Sequence, residues 1–141
     1  MSWLTVLHFT DRHALLKACA RLLKPHTGRW YTADFYARHP LSKSERRTLA
    51  ADVWCRYLPD EATYRADLEC AGLVVVEFAD CTDAWRALTR ERADEFDAQR
   101  AENEHLYGAD TCARLGAFYR VIAELFAGGN LGGVCVTARK L

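Results

Sequence analysis

Residues 3–35, WLTVLHFTDRHALLKACARLLKPHTGRWYTADF, decide the fold. The run Trp3-Leu4-Thr5-Val6-Leu7-His8-Phe9 is apolar and β-branched on both faces, the pattern of a strand buried inside a parallel sheet. Asp11 can cap a following helix in which Leu15, Ala18, Cys19 and Leu22 recur every three or four residues and form one apolar stripe. Lys24-Pro25-His26-Thr27-Gly28 ends that helix, and Trp30-Tyr31-Thr32-Ala33-Asp34-Phe35 reads as a second strand. Strand, helix, strand in this order implies a crossover unit, right-handed by default, and hence parallel pairing.

The remaining chain continues the alternation. Ser42 with Glu45 three residues later is a capping box opening a polar helix that carries Leu49, Val53 and Trp54. Pro59-Asp60 starts another helix, from about Glu61 to Ala71, and Gly72 stops it where a left-handed residue is needed. The run Leu73-Val74-Val75-Val76-Glu77-Phe78 is a third strand. Asp80 or Thr82 caps a long charged helix holding Trp85, Leu88 and Phe96, broken near Tyr107-Gly108. Cys112, Leu115, Tyr119, Ile122 and Phe126 then share one face of a last helix, which Gly128-Gly129-Asn130 ends. Gly132-Gly133 leads into a final strand, Val134-Cys135-Val136-Thr137-Ala138.

Composition narrows the function classes. Of 141 residues half are hydrophobic, and 19 basic residues balance 19 acidic ones. That balance argues against a nucleic-acid binder, which would carry a basic stripe to neutralise phosphates. No stretch approaches the ~18 apolar residues that span a bilayer, so no membrane partner is expected. Six cysteines stand singly without a C-x-x-C pair and read as small buried hydrophobes in a reducing, cytoplasmic setting. His8 and His13 lie five apart across an expected strand end, which does not set two imidazoles on one face, so no metal site is expected. Gly128-Gly129 and Gly132-Gly133 precede a strand rather than open a helix, which makes a phosphate-cradling loop the weaker reading.

In open α/β sheets ligands bind beyond the carboxyl ends of the parallel strands. That rule selects His8, at the end of the first expected strand, and Asp34, at the end of the second. The pair could orient a small substrate and move a proton. Each has a structural alternative, a core histidine bonded to backbone for His8 and a loop-capping carboxylate for Asp34. Arg46-Arg47 fits a solvated helix face, whereas Arg56-Tyr57, next to a Pro-Asp turn, is the better anion-holding candidate.

These residues also resemble a known family. Val6-Leu7-His8-Phe9, Asp11-Arg12, Leu22-Leu23-Lys24-Pro25, Gly28 and Ala33-Asp34-Phe35 are similar to the fourth-to-fifth-strand region of class I S-adenosylmethionine-dependent methyltransferases. Tyr64 to Leu68, Ala71-Gly72-Leu73 and Val75 resemble the helix and sixth strand of that fold, and Leu131-Gly132-Gly133 into Thr137-Ala138-Arg139-Lys140 its last strand. The resemblance implies an α/β fold, a single domain over residues 1–141 that forms part of a Rossmann-like sheet. It would keep the end of strand four and strands five, six and seven, with the last strand antiparallel between the other two and a helical lid insertion at about 82–129.

Within that superfamily the residues resemble phosphoethanolamine N-methyltransferases and related small-molecule N-methyltransferases. There the histidine matching His8 contacts the phosphate end of the substrate, the position of Asp34-Phe35 carries Asp-Tyr, and an Arg and a Tyr near Arg56-Tyr57 help hold phosphate. The implied cofactor is S-adenosylmethionine, and the implied sites are His8 and Asp34 as catalytic groups with Phe35, Arg56 and Tyr57 against substrate. The family's glycine-rich cofactor loop and ribose-binding acid have no counterpart here, and Leu4 and Phe35 replace a family acid and tyrosine. The expectation is therefore an incomplete enzyme, inactive as an isolated chain, which needs a complementing N-terminal half, a second copy or another protein. Two alternatives stay open: a non-catalytic remnant or regulatory subunit, and a start codon internal to a longer reading frame.

Overall fold

The computed structural model describes all residues, 1–141. Four strands and six helices follow one another as β1 (Ser2–Trp3), α1 (Arg12–Leu22), β2 (Arg29–Ala37), α2 (Lys43–Asp52), α3 (Glu61–Cys70), β3 (Leu73–Asp80), α4 (Thr82–Ala98), α5 (Arg100–Tyr107), α6 (Ala109–Gly128) and β4 (Leu131–Lys140). They build one sheet of order β1-β2-β4-β3. β1 runs parallel to β2, and β4 lies antiparallel between β2 and β3, as the resemblance implies. No helix is long and apolar enough to cross a membrane.

The sheet carries a core on each face. On one, Trp30 and Tyr36 of β2 pack with Leu16, Tyr64 and Leu68 of α1 and α3. On the other, Phe35 packs with Leu49 of α2 and with Ile122, Leu125 and Phe126 of α6. Alternation along β2 sends even and odd residues to opposite faces, so a strand sandwiched between helices is apolar throughout.

Local chemistry sets most boundaries. Asp11 accepts from the Ala14 amide at 2.9 Å, Ser42 and Glu45 close both bonds of the capping box, and Asp60 accepts from the Thr63 amide at 2.8 Å. Asp80, rather than Thr82, holds the start of α4 by accepting the Thr82 amide at 2.8 Å. Gly72 and Gly129, at φ 83° and 84°, end their helices in the left-handed region.

Five expectations are corrected. The expected strand Trp3–Phe9 keeps only Ser2–Trp3 in the sheet, because Leu4 turns to φ 46° and Val6–His8 wind into a single 3-10 turn. The buried stripe of α1 is Arg12, Leu16 and Ala20, and Leu22 is 88% exposed. Asp34 lies inside β2 rather than at its end, since the ladder with β4 runs on to Ala37. The long helix breaks at Gln99 as well as at Gly108. Of the six cysteines only Cys55 and Cys112 are buried, and Cys70 is exposed.

Gly133 shows how closely α4 approaches the sheet. A Cβ built there would stand 2.5 Å from Trp85 Cδ2, so the indole lies directly on the backbone of β4. Gly133→Ala should therefore destabilise the fold by about 1–3 kcal/mol, as overpacking of a close-packed site does. A urea midpoint equal to that of the wild type would contradict this packing.

Candidate active site

The turn bearing His8 is built at the edge of the sheet. The Leu4 amide makes the last ladder bond, to the Ala33 carbonyl at 2.8 Å, and the Thr5 hydroxyl donates to the Trp3 carbonyl at 2.8 Å. Val6 and Leu7 are buried, one in each core, while His8 ends the turn exposed to solvent. His8 Nδ1 lies 3.4 Å from the Trp54 carbonyl oxygen. Only three non-glycine residues have positive φ, and two of them, Leu4 at 46° and Trp54 at 54°, flank this turn. Such backbone strain gathers where function fixes a geometry.

Asp34 belongs to a buried polar cluster on the α1 and α3 face. Its side chain is fully buried, with Oδ1 accepting the Phe35 amide at 2.9 Å. Burial pushes its pKa up to about 6, against the Phe35 amide, the Arg12 charge, the Leu7 amide and the Tyr64 hydroxyl, which all favour the ionised form. Arg12, 4% exposed, places its guanidinium 4.5 Å from the Tyr64 ring centroid, 3.4 Å from Asp67 Oδ2 and 3.5 Å from the Val6 carbonyl. Burial, then the Asp34 charge, raises Tyr64 to about 12 and Cys55 to about 11. Arg12 Nη2, Thr32 Oγ1, Asp34 Oδ2 and Tyr64 Oη have no hydrogen-bond partner.

The three remaining candidates divide between two cavities. Phe35 helps line one of about 210 Å³, walled chiefly by Trp3, Trp85, Leu88, Phe118 and Tyr119. Its ring meets Trp85 and Phe126 edge-on at centroid distances of 5.9 and 5.3 Å. Arg56 and Tyr57 line another, of about 230 Å³, with Arg46, Leu41, Leu49 and Leu58. Arg46 is exposed, as a solvated helix face requires, while also lining this cavity and donating to the Leu41 carbonyl at 2.5 Å.

The structure thus separates the expected His8–Asp34 pair, placing the imidazole outside and the carboxylate inside, connected through the backbone of the turn. Arg12, Tyr64 and Thr32 were missed from the sequence. The available signal was the i, i+4, i+8 series Arg12, Leu16, Ala20, which competes with the stripe chosen for α1. No group of three or more His, Cys, Asp or Glu side chains is disposed to hold a metal ion.

No protein-family model matches the sequence, and no curated protein matches it. Solved structures do. A candidate sarcosine dimethylglycine methyltransferase from Galdieria sulphuraria superposes with a TM-score of 0.85 at 20% identity, covering 98% of this chain and 50% of that one. The chain has the fold of the C-terminal part of class I S-adenosylmethionine-dependent methyltransferases. The Haemonchus contortus phosphoethanolamine N-methyltransferase 2, solved with phosphomonomethylethanolamine and S-adenosylhomocysteine, gives 0.82 at 16% identity over 98% of this chain and 32% of its own. A cyclopropane synthase of Mycobacterium tuberculosis gives 0.79 at 15% identity, covering 97% and 53%. The chain therefore spans about half the length of these neighbours, or less.

Proposed function

We propose that this chain forms the acceptor side of an S-adenosylmethionine-dependent methyltransferase acting on a small molecule, by N-methyl transfer. The observation behind this reading is the sheet, in which an antiparallel last strand runs between β2 and β3 and the alignment with methyltransferases covers nearly every residue. In it His8 anchors the acceptor or carries its proton, and Asp34 orients that group from behind. Phe35 forms an apolar wall, and Arg56 with Tyr57 holds an anionic end of the acceptor.

The cofactor fits these residues only in part. No carboxylate lines the cavity beside β1 and Phe35 to receive the ribose hydroxyls of S-adenosylmethionine. A complementing N-terminal half, or a second copy, would supply the rest. Trp3 at 64% exposure and Phe9 at 44%, beside the open edge of β1, are the surface on which it would sit.

A non-catalytic methyltransferase-like subunit is the second reading, favoured by Leu4 where the resembling family carries an acid. Calorimetric titration of the chain with S-adenosylmethionine distinguishes the two. The first reading expects weak binding, with a Kd between roughly 1 μM and 1 mM, or about 8 to 4 kcal/mol. No heat at the upper end of that range would favour the subunit.

A further inference from the structure

We infer that Arg12 is a positioning residue: its buried guanidinium, held on α3 by Tyr64 and Asp67, clamps the Val6–His8 turn and so fixes where the His8 imidazole points. The use of that imidazole rests on the acceptor-side reading above, whereas the clamp itself does not.

A single 3-10 turn is weak on its own, because its hydrogen bonds are poorly aligned. Here it is also entered through Leu4 in the left-handed region and leans on Trp54 in the same region. Something outside the turn must hold it, and its inward backbone groups show what does. The Val6 carbonyl faces the Arg12 guanidinium at 3.5 Å. The guanidinium in turn lies over the Tyr64 ring and reaches Asp67, both on α3. Asp11, capping α1 through the Ala14 amide, fixes the point from which Arg12 extends. One side chain thus ties α1, α3 and the turn.

Stability alone does not explain so costly a group. Apolar residues of similar volume would fill the same space with equal or better stability, and a buried ion pair serves best where it selects one arrangement. A lysine could not do the same, because a point charge on a flexible stem lacks the planar fork that spans a carbonyl, a carboxylate and a ring.

The test is the imidazole NMR spectrum of the full chain without cofactor or acceptor, with His8 assigned by the loss of its signal in His8→Ala. Arg12→Met and Arg12→Lys are expected to shift or broaden the His8 signal while those of His26, His39 and His105 stay in place. A folded Arg12→Met protein with an unmoved His8 signal, even if less stable, overturns the inference. If that variant does not fold, Arg12→Lys is read in the same way: a moved His8 signal supports the clamp and an unmoved one overturns it. Because no cofactor is present, failure of the methyltransferase reading leaves this result intact.

Discussion

Replacing Phe126 with alanine is expected to lower the unfolding free energy by about 3–5 kcal/mol, the range for deleting a fully buried aromatic ring. Phe126 is 0% exposed near the end of α6, and its ring stands 5.3 Å from that of Phe35 and 6.2 Å from that of Trp85. These three side chains join α6, β2 and α4, and the Phe126 carbonyl also accepts the Arg86 Nε donor at 3.1 Å. Close packing leaves the neighbours little room to collapse into the space, so most of the cavity cost should be felt. Phe35 would lose the support that holds it at the wall of the apolar cavity, which ties this core position to the proposed acceptor site. Urea unfolding with an unchanged m-value is the measurement, and a loss below about 1 kcal/mol would show that the aromatic cluster is not packed as described.

What could be read from the sequence follows the range of the interaction that decides each element. The capping box at Ser42 and Glu45, the helix start at Pro59-Asp60 and the stop at Gly72 depend on groups three residues apart or fewer, and each is found where expected. The first strand was not legible in this way. Trp3 to Phe9 has a buried strand's composition, and the Leu4 turn that removes it from the sheet is held by Arg12 and by residues of β2. The phase of α1 failed for a related reason, since adjacent Leu15 and Leu16 permit two stripes, and the correct one includes an arginine that hydropathy assigns to solvent. At the candidate site, strand ends selected His8 and Asp34, the Pro-Asp turn Arg56 and Tyr57, and the resemblance Phe35, but none of these gave their grouping. Which of them face one cavity depends on how the turn and the loop before α3 pack, and nothing local encodes that.

Asp34 should make the protein more stable as the pH falls from 7 towards 4, the opposite of the usual carboxylate effect. Its folded pKa of about 6 lies above the ordinary value of 3.8, so between those limits the folded chain holds a proton that the unfolded chain has released. Stability must then rise with acidification, by about 3 kcal/mol over the whole interval and about 1 kcal/mol between pH 7 and 5. The charged and titratable groups that interact with Asp34 are Arg12 from α1, Tyr64 from α3 and Cys55 from the loop between α2 and α3. Tyr64 and Cys55, raised to about 12 and about 11, stay neutral over this range, so the proton exchanged is that of Asp34. Glu45, Asp60 and Asp80 have lowered pKa values and act in the opposite sense, but only as the pH falls towards the ordinary carboxylate range. Asp34→Asn keeps the shape and removes the titration, so its urea midpoint should lack the rise that the wild type shows from pH 7 to 5. Parallel pH dependence in the two proteins would mean that the carboxylate is hydrated rather than sealed beneath β2.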